Sequence, residues 1–188
     1  MATSTTLDVI AARYSCRAFK DTPIETDVLD AIVTAGLHAP SAMNRQPWRL
    51  IAVRDPAVVA EIEAAGMDNF KKTDPVAYNR AMERGGTMMY HAPVVLIIAG
   101  ALDGQSRFVD NDCGIVASHI ALAAASLGVD SCIAANPRTV FIGPAGVRLG
   151  RLVGMPAGFG FNLCVYLGYS ADDPKPGHEI DRAKATVV

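Results

Sequence analysis

An α+β domain is the fold class this sequence predicts, and three observations carry it. Residues 25–37 and the stretch running to Leu127 repeat apolar side chains at helical spacing. Residues 94–99 and 161–169 are short apolar runs of strand length. The 188 residues suit one domain, read here as 1–188, long enough to bury a core without disulfides or metals.

Composition narrows the class. Hydrophobic residues make up 51% and charged residues 19% of the chain. That is apolar for a monomer of this size and points to surface covered by a partner subunit. A net charge of −2 gives no sign of a nucleic-acid binder. Cys16, Cys113, Cys132 and Cys164 have no CxxC spacing and no nearby histidine, so neither a zinc site nor an iron–sulfur run is predicted. They read as buried, reduced thiols of a cytoplasmic protein. Arg13 and Arg17 interrupt any signal-peptide core, and residues 92–99 are too short to cross a bilayer.

The first helix is expected over 7–12, with Thr5 or Thr6 as cap and Leu7, Ile10 and Ala11 at helical spacing. Residues 13–19, Arg-Tyr-Ser-Cys-Arg-Ala-Phe, follow. In an extended backbone Arg13, Ser15 and Arg17 point to one side, and Tyr14, Cys16 and Ala18 to the other. Two guanidinium groups and a hydroxyl on one side form a comb for a phosphate or oxyanion. An edge strand with two solvated arginines would read the same way. The helix over 25–37 then carries Val28, Leu29, Ile32, Val33 and Leu37 as its apolar stripe.

Residues 39–48, Ala-Pro-Ser-Ala-Met-Asn-Arg-Gln-Pro-Trp, form the next loop. Pro40 and Pro47 stiffen it. Asn44 and Gln46 each offer donor and acceptor atoms, which suits a flat heterocycle with alternating C=O and N–H edges. The alternative is a plain helix-to-strand connection with Trp48 plugging the core.

The comb and the loop, in this order with one helix between them, resemble the nitroreductase family of flavin-dependent oxidoreductases. Weaker agreement continues to the tail. The resemblance implies a mixed, mainly antiparallel central sheet flanked by helices, with a long buried helix at a dimer interface. It implies bound FMN as cofactor and NAD(P)H as reductant.

Residues 50–53 are the next strand candidate. Asp55-Pro56 supplies an N-cap and a proline at the first helical position, for a helix ending near Gly66. Residues 67–90 hold Lys71, Lys72, Arg80, Arg84, Phe70, Tyr78 and Tyr90. They read either as a solvated helical insert or as a lid whose basic residues meet a dinucleotide. Residues 94–99 form a buried strand. Asp110, Asn111 or Asp112 is expected to cap a long helix ending near Leu127, with Gly128 just beyond it. Ala117, Ala121 and Ala125 would let a second helix approach, at the centre of a homodimer. His119 reads as a hydrogen-bonded core residue. Residues 131–134 are a short strand, Pro144 starts a short helix, and 161–169 is the last strand. Gly158-Phe159-Gly160 is no dinucleotide fingerprint, because it precedes a strand instead of opening a helix.

No Ser/His/Asp set, metal cluster or carboxylate pair stands out. A flavin enzyme needs none, since the cofactor carries the hydride. The resemblance implies Arg13 at the FMN phosphate, Ser15 at the ribityl or pyrimidine edge, Arg17 near N1 and the C2 carbonyl, and Tyr14 as a further cofactor-binding residue. It further implies that Pro40, Ser41, Ala42, Asn44 and Gln46 reach FMN from the neighbouring chain. Backbone groups of Ile133, Ala134 and Ala135 would lie by N5. Where relatives read Lys-Pro-Arg, this chain has Lys175-Pro176-Gly177, so Lys175 or Arg182 would take over the tail's phosphate contact. The expected reaction is ping-pong electron transfer from NAD(P)H to a nitroaromatic, quinone or similar acceptor. Substrate dehydrogenation, dehalogenation, flavin conversion and a non-catalytic flavin-binding dimer are the alternatives.

Overall fold

The computed structural model describes residues 5–83, 85–173 and 179–188. Its first helix, α1 (Thr6–Ala12), starts at a reciprocal cap. Thr5 Oγ1 accepts the Asp8 N–H, and the Asp8 carboxylate accepts the Thr5 N–H. The Thr5 bonds hold the Asp8 carboxyl below its usual pKa. Leu7 and Ile10, expected on the apolar face, are exposed, and Val9 is buried instead. A seven-residue helix resting on one neighbour has only one side to bury.

Helix α2 (Thr26–Leu37) buries Leu29, Ile32 and Gly36, while Leu37 lies exposed at its end. A Cβ at Gly36 would stand 2.8 Å from Ile120 Cγ1, so glycine there lets α2 press against the long helix. Strand β1 (Trp48–Val53) leads into α3 (Pro56–Thr73), where Asp55 accepts the Ala57 N–H. The expected stop at Gly66 is not observed. Met88 packs where a side chain at 66 would stand, so this glycine serves close packing inside a continuous helix. Helix α4 (Pro75–Glu83) completes the insert.

Strand β2 (Val94–Ala101), helix α5 (Val109–Ser126), strand β3 (Asp130–Ala134), helix α6 (Gly143–Leu152) and strand β4 (Phe159–Gly168) follow. The sheet order is β1-β2-β4-β3, with every neighbouring pair antiparallel. A single parallel bridge, Ser15 to Ser131, adds the mixed character. β2 lies inside the sheet and is buried on both faces. Leu96 and Ile98 join the layer of α2 and α5, whereas Val95 and Ile97 join Ile62, Leu149 and Tyr166 on the other side. This is why 94–99 reads as an unbroken apolar run.

Helix α5 packs Cys113, Val116, Ala117, Ile120, Ala121 and Ala124 inward. Two of the three alanines expected to receive a second chain's helix, Ala117 and Ala121, are therefore used inside this one. The outward side carries Gly114, Ile115 and Ser118. The helix begins after Phe108, with no side-chain cap, rather than at an acidic residue. At its far end Gly128, at φ 75°, lets the Val129 N–H reach the Ala124 carbonyl. His119 Nδ1 hydrogen-bonds the Ile115 carbonyl. All four cysteines are buried and free.

Candidate functional site

After α1 the chain runs extended along the sheet edge. The Cys16 N–H donates to the Ser131 carbonyl at 2.9 Å, the Phe19 N–H to Tyr90 and the Lys20 N–H to Tyr169. These bonds fix which way each side chain faces. Cys16 and Phe19 turn into the core, Arg13 and Ser15 are half-buried, and Arg17 is exposed.

The comb meets β3 at Cys132. Burial pushes that thiol's pKa up, and the strongest opposing influence is the nearby Arg17 guanidinium, with Ser15 and Arg13 acting the same way. Arg13, Ser15 and Arg17 thus gather beside the strand residue that precedes Ile133 and Ala134. Tyr14 faces Asp130 and Ser170, and burial raises its phenol. Arg13, Tyr14 and Ser131 also line a cavity of about 230 Å³. Among the described residues the ion pairs are Lys72–Asp68 and Arg148–Glu61, so neither Arg13 nor Arg17 has an acidic partner.

The amide loop is built differently. A 3₁₀ turn at Ala42–Asn44 sits within it, and Met43, Asn44 and Gln46 stand at φ 53°, 53° and 49°. Side chains other than glycine rarely adopt that region. Ser41 Oγ accepts the Gln46 N–H at 2.9 Å, and Gln46 Nε2 donates to Asn44 Oδ1 at 2.9 Å. The Ala42 N–H donates to Asp112 Oδ1 at 3.0 Å. Pro40, Asn44 and Gln46 are exposed and Ser41 and Ala42 half-buried, while Trp48 is sealed in the core.

The comb and the loop do not meet within one chain. The loop enters β1 at the level of Gly100 and Gly160, while the comb lies by Ser131, level with Leu167. Three strand spacings of about 4.8 Å and seven residues of ~3.3 Å separate these points, which are opposite corners of the sheet.

Two groups escaped the sequence reading, one at the end of β3 and one under the amide loop. Asn136 accepts the buried Tyr166 hydroxyl at 2.8 Å and donates to the Met88 carbonyl at 3.0 Å. It ties the end of β3 to the insert, and together with Phe70, Met88 and Tyr90 it lines a cavity of about 500 Å³. The Asn136-Pro137 pair after a strand was the available signal, but it indicates only a turn. Asp112 was read as a helix cap. Its spacing to Val116 and Ile120 on the inward face was the better clue. Lys175 lies outside the described residues, as does Arg84. Arg182 sits in an exposed 3₁₀ turn. Among the described residues no group of His, Cys, Asp and Glu could hold a metal, and no helix is long and apolar enough to cross a membrane.

One sheet, covered by helices, thus carries a basic comb at one corner and an amide-bearing loop at the other. The chain belongs to the nitroreductase family, whose model matches residues 10–169. Among solved structures it is similar to a nitroreductase with bound FMN from Desulfitobacterium hafniense, at 39% identity, TM-score 0.88 and 97% coverage of each chain. A second FMN-bound nitroreductase, from Bacteroides fragilis, is 29% identical with a TM-score of 0.84, covering 97% of this chain and 98% of that one. A Methanothermobacter thermautotrophicus protein provisionally named NADH dehydrogenase/NAD(P)H nitroreductase is 30% identical over 125 residues. That match takes in 65% of this chain and 56% of the relative's length.

Proposed function

We propose that the protein is an FMN-dependent oxidoreductase that takes electrons from NAD(P)H and passes them to an electron-poor acceptor such as a nitroaromatic or a quinone. The observation that carries this reading is the comb: two guanidiniums without acidic partners among the described residues, with a hydroxyl between them, beside the edge strand β3. That donor set fits the phosphate and the pyrimidine edge of FMN. The FMN bound by the two solved relatives supports the same cofactor.

FMN, when bound, supplies the hydride acceptor and donor. Arg13 would pair with its phosphate, and Tyr14 is a further candidate contact. Ser15 donates to the ribityl or pyrimidine edge. Arg17 would supply a positive charge that favours the reduced cofactor. Ile133 and Ala134 offer backbone groups to the reactive edge, and Lys175 is a further candidate for the phosphate. The amides of Asn44 and Gln46, with Pro40, Ser41 and Ala42, come from the neighbouring chain of a homodimer. The corner-to-corner separation within one chain supports that arrangement. So do the exposed Leu7, Ile10, Met43 and Ile115 on α1, the loop and α5. Four free, buried thiols support a reducing, cytoplasmic setting.

The test begins with an absorption spectrum and a sizing column, followed by rapid mixing with NADH or NADPH. Expected are about one FMN per chain, a dimer, and bleaching of the flavin bands by one of the two nucleotides. A protein that takes up no FMN would refute the cofactor assignment. A yellow protein that neither nucleotide bleaches would refute the reductant.

A further inference from the structure

Asp112 is the one buried charged side chain among the described residues, at 2% exposure. A carboxylate in that position is costly unless its oxygens are hydrogen-bonded. Oδ1 accepts the Ala42 N–H at 3.0 Å, while Oδ2 is buried with no hydrogen-bond partner. The start of α5 favours an acidic residue, but Asp110 in the same turn already provides one. Asp110 turns instead to Asn162, whose Nδ2 donates to it at 2.6 Å. The helix therefore does not explain why a second carboxylate is kept inside.

The loop does explain it. Ser41–Gln46 and Asn44–Gln46 are bonds internal to the loop. They fix its shape without tying it to the body of the protein. At the loop's exit, the Ala101 N–H holds the Pro47 carbonyl. Arg45 reaches Gln105 across an exposed 3.5 Å contact. Between these stands the strained run Met43, Asn44, Gln46, a conformation that persists only where the surroundings hold it. The Ala42–Asp112 bond, half-buried, is the tether to the body directly before that run.

We propose that Asp112 is the positioning residue of the amide loop: its hydrogen bond to Ala42 sets where Asn44 and Gln46 present their amides to the neighbouring chain's flavin. This rests on the FMN reading above. The bond needs an acceptor on one side and an N–H on the other, so each can be removed separately. Asp112→Ala deletes the acceptor. Ala42→Pro deletes the donor, and Ser41, at φ −139° and ψ 157°, already has the backbone that precedes a proline.

The experiment measures FMN affinity by fluorescence and loop amide exchange in the flavin-free protein. Asp112→Ala and Ala42→Pro should each weaken FMN by about 10-fold or more and speed exchange at residues 43–46. The double variant should be no worse than the single ones, because both remove the same bond. Asp112→Asn keeps the acceptor and should recover most of the affinity. It and Ala42→Pro carry the test if Asp112→Ala fails to fold. Asp110→Ala should leave loop exchange unchanged. Wild-type affinity in the Asp112 and Ala42 variants, or effects that add in the double variant, would overturn the proposal. Should the wild-type protein take up no FMN, the FMN reading fails. Loop exchange then decides on Asp112 alone, and unaltered exchange in Asp112→Ala would overturn its role.

Discussion

The comb and the amide loop are both short, polar and set at corners of the same sheet, yet side chains hold only one of them. Residues 13–19 are fixed by main-chain bonds to Ser131, Tyr90 and Tyr169. Any side chain would leave those bonds in place, so Arg13, Ser15 and Arg17 are free to be chosen for a ligand. Residues 39–47 add side-chain bonds from Ser41, Asn44, Gln46 and Asp112 to a few main-chain ones, and carry three residues at positive φ. There the groups offered to a ligand are also the groups that maintain the loop. The difference teaches that changes in the comb should alter binding alone, and changes in the loop should alter binding and stability together.

The sharpest test is Arg13→Ala. Losing a charged hydrogen bond to phosphate should cost about 1.5–3 kcal/mol of FMN affinity, read by titration calorimetry. The melting temperature of the flavin-free protein should stay put, since Arg13 has no acidic partner among the described residues. A lower melting temperature would mean that the comb bears structure after all. Met43→Gly probes the loop from the other side. Met43 is 75% exposed at φ 53°, so glycine relieves strain with little packing lost. Stability should rise by about 0.5–1 kcal/mol, measured by denaturant unfolding, while FMN binding weakens as the loop loosens. If both stay unchanged, the loop is not strained in the way its dihedral angles indicate.

The smallest effect lies where the comb begins, at the cap of α1. The Thr5 bonds depress the folded-state pKa of Asp8 below 3.8. A depressed carboxyl contributes stability that is present above the unfolded value and is lost as pH falls through the folded one. Helix α1 should therefore be equally protected at pH 7 and pH 5 and fray below about pH 4. Thr5→Ala should weaken that dependence, because only the backbone bond to Asp8 is left, as seen by amide exchange at Val9. Unchanged pH dependence in Thr5→Ala would take the cap out of the account.

Much of this was legible from local rules. The alternation of Arg13, Ser15 and Arg17 against Cys16 follows from an extended backbone. Asp55-Pro56 marked the start of α3, and 94–99 marked a strand covered on both faces. What was hidden depends on distant partners. Gly66 reads as a stop signal unless Met88 is known to pack on it. Ala117 and Ala121 read as an open stripe unless the layer of α2 and the sheet is known to bury them. Asp112 reads as a cap unless residue 42 is seen above it. Asn136 gave only a turn signal, because its partners Met88 and Tyr166 are 48 and 30 residues away.

The two-sided burial of β2 also bears on how the chain is made. Val94–Ala101 contains no charge and no proline, and it has no face suited to water. Segments of that kind are the ones on which unfolded chains stack against each other. One flanking strand, β1, is synthesised before it, but β4 arrives about sixty residues later. In that interval an apolar strand edge is open on the nascent chain. Slowing synthesis relative to folding, by lowering the growth temperature, should therefore raise the soluble yield.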